Sequence, residues 1–103
     1  MAQALLLRIR GLVTSSECRT QRTGCPVVLL EMTDAATGQT IRVRHTYPDA
    51  SSTSNMAAHA LARRLRGQQA ELDAINPRFK AHRLDCDAAW IHTPTNLLTD
   101  YQQ

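Results

Sequence analysis

The sequence predicts an all-β domain with one helix, in the order of three strands, the helix and two further strands. Five segments show the alternation of apolar and polar residues, or the short apolar run, that is typical of strands. One segment, residues 55–67, has apolar residues at helical spacing and ends in a basic cluster followed by Gly67. This order is the layout of a five-stranded Greek-key barrel, the OB-fold.

The first predicted strand covers residues 5–13, where the odd positions are apolar and the even positions include Arg8 and Arg10. Gly11 lies inside it and predicts a bulge or a tight bend, which a barrel needs where a long strand curls between two sheets. Residues 14–23 are polar, and we expect them to form a loop.

The next two predicted strands form a hairpin. Residues 27–32 are a short apolar run rich in strand-forming residues, and residues 40–46 alternate between apolar and polar side chains. Residues 34–39 separate them and contain Gly38, which predicts a turn.

The helix follows a polar connection, and Ser52, Ser54 or Asn55 is expected to cap its first turn. After the helix, residues 69–75 alternate as a fourth strand, and residues 76–80 are expected to interrupt it.

The last predicted strand runs over residues 82–92, with Leu84 and Cys86 on its apolar side. The alternation breaks at residues 89–91, which indicates a bulge. Trp90 shares the register of Leu84 and Cys86, so it is expected in the core or at a subunit interface.

Length and composition indicate one ordinary globular domain. The 103 residues are 43% hydrophobic and 20% charged, enough for one core and too few for two. We expect residues 1–92 to form the barrel domain and residues 93–103 a polar C-terminal tail. No apolar run approaches the roughly 20 residues that cross a bilayer, and Arg8 interrupts the N-terminus too early for a secretory signal. These features predict a cytoplasmic protein that does not contact a membrane.

The sequence contains no recognised motif for catalysis or for metal binding. The three cysteines include no CxxC pair, which argues against a disulfide framework and against the usual zinc spacings. No Ser/His/Asp set and no phosphate-binding loop is present. We therefore expect a protein that is not an enzyme and that has no cofactor and no metal.

Positive charge is concentrated in the first half of the chain. Residues 1–46 hold six arginines and three acids, whereas the remaining residues hold six basic and six acidic side chains. Eleven of the twelve basic residues are arginine, which suits phosphate contacts and stacking on bases better than lysine does.

These patterns give ten candidate contacts with nucleic acid. If the first and third strands are neighbours, Arg8, Arg10, Arg42 and Arg44 share one surface. The alternatives are solvated arginines, a packed Tyr47 and a Phe79 buried at a hairpin tip. The candidates are Arg8, Arg10, Arg19, Arg22, Arg42, Arg44, Tyr47, Arg78, Phe79 and Lys80.

Four segments, taken in order, also resemble a known group of proteins. They are residues 9–13 (IRGLV), residues 23–31 (TGCPVVLLE), residues 57–67 (AAHALARRLRG) and residues 81–91 (AHRLDCDAAWI). They are similar to segments of bacterial single-stranded DNA-binding proteins and of the primosomal replication protein N group. The resemblance implies an OB-fold, a homodimer or homotetramer built through strand edges, and a basic face for single-stranded DNA.

The chain departs from that group in having only four aromatic residues and no long linker with an acidic tip. This favours a specialised role in replication, in primosome assembly or on a mobile element, with replication or primosome proteins as partners. The first hypothesis is therefore a non-catalytic protein that binds single-stranded DNA, with RNA as the alternative ligand. The second is a protein–protein interaction module on the same barrel with little nucleic-acid binding.

Overall fold

The computed structural model describes residues 7–80 and 82–92, and these ranges form a closed five-stranded β-barrel with one helix. In chain order the elements are β1 (Leu7–Thr20), β2 (Pro26–Asp34), β3 (Thr40–Thr46), α1 (Ser52–Leu65), β4 (Gln69–Phe79) and β5 (Arg83–His92).

The order of strands around the barrel is β1-β2-β3-β5-β4, and β4 pairs with β1 to close it. All neighbours are antiparallel except β3 and β5. The predicted OB-fold class is confirmed, and the predicted tail lies outside the described residues.

The core forms because each strand turns every second side chain inward. In β3, for example, Ile41 and Val43 are buried while Arg42 and Arg44 are exposed. Burial also raises the pKa of the Cys86 thiol to about 11, so this cysteine stays protonated in the core. The large inward side chains are mostly aliphatic and include Ile9, Val13, Val28, Leu30, Met32, Ile41, Val43, Leu65, Leu72 and Leu84.

β1 extends to Thr20, so the prediction of a loop over residues 14–23 is wrong for residues 14–20. Thr14 is an extra residue in the ladder, because Val13 pairs with Met32 whereas Ser15 pairs with Glu31. Beyond this bulge the inward position is Ser16, whose Oγ donates a hydrogen bond to the carbonyl of Ala62 in α1 (2.7 Å). Because this inward residue is polar, the sequence shows no regular alternation of apolar and polar residues in this part of β1.

Gly11 lies where β1 pairs with β2 on one side and with β4 on the other. A Cβ atom at this position would overlap the carbonyl oxygen of Thr33 and lie 3.0 Å from its carbonyl carbon. Gly11 therefore permits a close approach of two strands, whereas the nearby bulge is at Thr14.

α1 begins three residues earlier than predicted, because the cap is Ser51 and not Ser52, Ser54 or Asn55. The Ser51 Oγ accepts a hydrogen bond from the Ser54 amide (3.1 Å). Asp49 accepts hydrogen bonds from the Ser54 hydroxyl (2.6 Å) and the Ser51 amide (3.0 Å), and these bonds lower its pKa to about 2.

α1 packs against β1 and β2 through Ala58, Ala62 and Leu65. Arg66, directly after the helix, donates a hydrogen bond from Nη2 to the Ser16 carbonyl (2.9 Å). Within the described residues, no helix combines the length and the apolar character that crossing a membrane requires.

β4 continues through the residues that were expected to interrupt it, and ends at Phe79. In β5 the predicted bulge is confirmed, because Ala88 pairs with Ala74 and Trp90 pairs with Asp73, which leaves Ala89 without a partner in the ladder. The extra residue reverses the alternation, so Trp90 points outward and is 62% exposed. The expectation that it lies in the core is wrong, and the alternative of a subunit interface stays a prediction.

We expect Gly11→Ala to lower the free energy of unfolding by about 1–3 kcal/mol, the usual cost of forcing extra volume into a packed site. Urea denaturation followed by circular dichroism measures this change. Thr20→Ala, at the exposed end of the same strand, is the control and should have little effect. Equal stability of the Gly11→Ala variant and the wild type would contradict the close approach at Gly11.

The position of Trp90 predicts opposite effects for two neighbouring substitutions. Trp90→Ala should change the free energy of unfolding by less than about 0.5 kcal/mol, because its side chain is exposed. Ile91→Ala should cost about 2–5 kcal/mol, because Ile91 is buried. Trp90 is the only tryptophan, so its fluorescence gives a second measurement. Emission that resists acrylamide quenching in the monomer would contradict the outward position.

Candidate functional site

A groove of about 450 Å³ crosses the outer face of the barrel where β1, β2, β3 and β5 lie side by side. Its charged lining consists of Glu17, Arg19, Glu31, Arg42, Arg44, Arg78 and Asp85. Four of these residues, Arg19, Arg42, Arg44 and Arg78, are predicted contacts with nucleic acid. The fold brings them together from β1, β3 and β4.

β3 supplies the central pair of arginines. Arg42 pairs in the ladder with Glu31 of β2, and its Nε lies 3.4 Å from Glu31 Oε2. Arg44 stands between Leu29 of β2 and Asp87 of β5 in the two ladders. Within the ranges 7–80 and 82–92, Arg44 forms no ion pair, so its guanidinium remains available to an added anion.

The Thr14 bulge in β1 places Arg19 in the groove. Val13 points inward before the bulge and Ser16 points inward after it, so Glu17 and Arg19 share the outer face. Arg19 Nε donates to Glu17 Oε2 at 2.8 Å. Without the extra residue, the alternation that starts at Ile9 would turn position 19 toward the core.

A second groove of about 440 Å³ continues from the first, because both are lined by Glu31 and Arg42. It adds Lys80, a predicted contact, and Arg83, which sequence analysis did not assign to the site. Arg83 Nε donates to Asp85 Oδ1 (2.8 Å), and this bond holds the pKa of Asp85 below its usual value. The sequence signal that could have identified Arg83 is its position two residues before Asp85, which places both side chains on the polar side of β5.

Phe79 is the most exposed aromatic residue in the described ranges, with 72% of its surface accessible. It is the last residue of β4 and stands between Arg78 and Lys80. The Lys80 amide donates a hydrogen bond to the Arg83 carbonyl (2.8 Å), which links the end of β4 to the start of β5. The alternative of a Phe79 buried at a hairpin tip is wrong.

Tyr47 lies just after β3 and is half-buried against the core. Its ring contacts His45 edge to face, with ring centroids 5.2 Å apart. Burial raises the pKa of Tyr47, with a smaller contribution from Cys18. The structure therefore gives Tyr47 a packing role, and stacking on a base stays a prediction.

Arg8 and Arg10 lie outside the groove, on the part of β1 that pairs with β4. Arg8 donates to both Glu71 (2.7 Å) and Asp73 (2.5 Å), and these bonds raise its pKa and lower those of the two carboxyl groups. Arg10 Nη2 lies 3.7 Å from Glu71 Oε1.

The expected surface of four arginines required β1 and β3 to be neighbours, and this premise is wrong because β2 separates them. Arg22, in the turn between β1 and β2, is exposed and also lies outside the groove lining. Roles for Arg8, Arg10 and Arg22 in binding stay predictions.

Neither groove brings together a metal-binding set. Among residues 7–80 and 82–92, no group of three His, Cys, Asp or Glu side chains is placed to hold a metal ion. Asp85 and Asp87 are both engaged by arginines, Asp85 by Arg83 and Asp87 by Arg78 at 3.6 Å. The arrangement can bind anions through guanidinium groups, whereas the exposed Phe79 lies outside the lining of both grooves.

The chain matches no protein-family model, and a search of curated proteins gives no significant match.

Proposed function

We propose that this protein is a non-catalytic OB-fold protein that binds single-stranded DNA along the outer groove. The observation that carries the proposal is the meeting of Arg19, Arg42, Arg44 and Arg78 in one groove. Phe79 is exposed at the end of β4, directly after Arg78 in the chain, and lies outside the groove lining. A positive groove with aromatic stacking surfaces is the general means by which proteins bind single strands.

Phosphate groups would bind to the arginines of the groove. Arg42 and Arg44 are both exposed and project from the same face of β3. The side chains of Arg42 and Glu31 are 55% and 42% exposed, and ion pairs this exposed contribute little to stability. A phosphate can therefore replace the carboxylate partner of Arg42 at low cost, and Arg44 has no carboxylate partner to exchange among residues 7–80 and 82–92.

Phe79 supports a single strand in preference to a duplex. A ring that is 72% exposed can stack only on a base whose face is free, and bases in a duplex are already stacked on one another. Arg78 and Lys80 are the neighbours of Phe79 in the chain, and their side chains would bind the phosphates on either side of a stacked base. RNA is the alternative ligand, because its phosphates and bases would bind to the same arginines and the same ring.

The proposal extends to the setting in which the protein acts. By its resemblance to bacterial single-stranded DNA-binding and primosomal proteins, we assign it an accessory role in the cytoplasm. That role is in replication, primosome assembly or the maintenance of a mobile element. The same resemblance supports a homodimer or homotetramer and contacts with replication or primosome proteins.

A second function, a protein–protein interaction module, is favoured by two observations. Three of the four arginines in the groove already have carboxylate partners. Trp90 is also exposed on the outer face, among residues that do not line the groove. Under this alternative the Trp90 surface binds a protein partner and nucleic acid binds weakly or not at all.

The double substitution Arg42→Ala with Arg44→Ala should weaken binding to oligo-dT and flatten its dependence on salt. Each lost phosphate contact lowers the slope of log affinity against log salt by about 0.7 for a single strand, so the pair should lower it by about 1.4. Fluorescence anisotropy at several salt concentrations measures both quantities, with duplex DNA and oligo-U of equal length as comparison ligands.

The matched control is Arg63→Ala with Arg64→Ala, which removes the same charge from exposed positions in the last turn of α1. An equal loss in both double variants would mean that only net charge matters and would contradict a site in the groove. No detectable binding by the wild type at low salt would reject the proposal in favour of the interaction module.

Phe79→Ala should weaken binding by about 1–3 kcal/mol, the usual contribution of one stacked base, which is roughly 5- to 150-fold. The salt slope should not change, because no phosphate contact is lost. Met56→Ala is the control, since Met56 is equally exposed but lies on α1. An unchanged affinity of Phe79→Ala for oligo-dT would remove Phe79 from the site.

A further inference from the structure

β4 contains a bulge at the point where it reaches the groove. Ile75 pairs with Asp87 and Arg78 pairs with Asp85, so β4 advances three residues while β5 advances two. The extra residue lies in the Asn76–Pro77 step, which the sequence suggested only as a break in the strand. Bulges of this kind redirect the side chains that follow them.

The bulge decides which way Arg78 points. Before it, Ala70, Leu72 and Ala74 are buried, so even-numbered positions face the core. Uninterrupted alternation would turn position 78 inward as well. After the bulge, Arg78 shares the outer face with Asp85, its partner in the ladder, and lines the groove.

Asn76 has a φ of 53°, the only positive φ at a residue other than glycine among residues 7–80 and 82–92. This left-handed conformation is costly for most residues, and asparagine adopts it more readily than most. Unusual backbone conformations of this kind persist where the surrounding structure holds them in place.

Asn76 and Asp87 together hold the guanidinium of Arg78. The Asn76 side-chain amide donates to Asp87 Oδ2 (3.1 Å), and Arg78 Nη2 lies 3.6 Å from Asp87 Oδ1. Arg78 Nη1 also donates to the main-chain carbonyl of Asn76 (2.9 Å). Asp87 therefore links Asn76, which forms the bulge, to Arg78, whose side chain the bulge redirects.

We propose that Asn76 and Asp87 are positioning residues that fix Arg78 in the groove before nucleic acid arrives. This inference rests on the proposed function of the groove. A side chain that is already ordered loses less conformational entropy when it binds a phosphate, so Arg78 is a stronger contact than a freely rotating arginine. Asp87 is thus an acidic residue whose presence favours the binding of an anion.

Asn76→Val tests the bulge, because a β-branched residue strongly disfavours the left-handed conformation. Compared with the wild type, it should lower the salt slope for oligo-dT by about 0.7, the same as Arg78→Gln. The double variant Asn76→Val with Arg78→Gln should lose no more than Arg78→Gln alone. Asn76→Gly is the matched comparison: it keeps the left-handed backbone and the carbonyl that Arg78 bonds to, but removes the amide that bonds to Asp87. It should therefore retain more affinity than Asn76→Val and less than the wild type. An unchanged slope for Asn76→Val, or additive losses in the double variant, would overturn the inference.

Asp87→Asn gives a second test that does not depend on the folding of Asn76→Val. If Asp87 only repels phosphate, removing its charge should tighten binding. If it positions Arg78, its loss should weaken binding despite the less negative groove. Weaker binding is the expected result, and tighter binding would overturn the inference.

A measurement without nucleic acid separates this inference from the proposed function. We expect the ¹⁵N relaxation of Arg78 Nε to report an ordered side chain in the wild type and a mobile one in Asp87→Asn. Arg22, exposed in a turn, is the mobile reference. An Arg78 as mobile as Arg22 would overturn the positioning role even if oligo-dT binds. An ordered Arg78 in a protein that binds neither oligo-dT nor oligo-U would reject the proposed function alone.

Discussion

A closed sheet leaves each side chain only two directions, into the core or out to solvent, and the rest of this structure depends on that constraint. Within residues 7–80 and 82–92, the strands largely follow this alternation, and it changes direction at single extra residues. These bulges, at Thr14, at Asn76–Pro77 and at Ala89, fall in β1, β4 and β5. Two of them bring Arg19 and Arg78 to the groove, and the third turns Trp90 outward. The candidate site thus combines two arginines of the uninterrupted β3 with two arginines that bulges redirect.

This also explains how far the sequence could predict the fold and the site. β3 was predicted with its observed bounds, because Ile41 and Val43 alternate with Arg42 and Arg44 without interruption. The end of β1 was missed because its inward residue is a serine that bonds to the helix, and a polar stretch with no apolar period reads as a loop. Trp90 was misplaced because alternation was counted through a bulge, although the bulge itself had been predicted. The groove could not be predicted, since its arginines come from strands that are distant in sequence.

Under the proposed function, the charges of the groove would make its selectivity for nucleic acids depend on geometry more than on bulk attraction. Four arginines line it together with three carboxylates, so its net charge is small. A strongly charged surface would attract any polyanion, including duplex DNA, without regard to shape. Here each carboxylate can also orient a guanidinium, as Glu17 does for Arg19. Contacts that are fixed in advance favour ligands whose phosphates match their spacing.

The closure of the barrel has a consequence for how the chain folds. β2 and β3 are joined by a short turn, so their pairing requires the ordering of only a few connecting residues. In contrast, the first half of β1 pairs with β4. Arg8, for example, pairs with Asp73, and the helix lies between these two residues in the sequence. Contacts between such distant residues are slow to form, because a long loop must close before any of them is made. We therefore expect the hairpin to form early and the junction of β1 with β4 to set the folding rate, leaving the edges of both strands open to other chains until then.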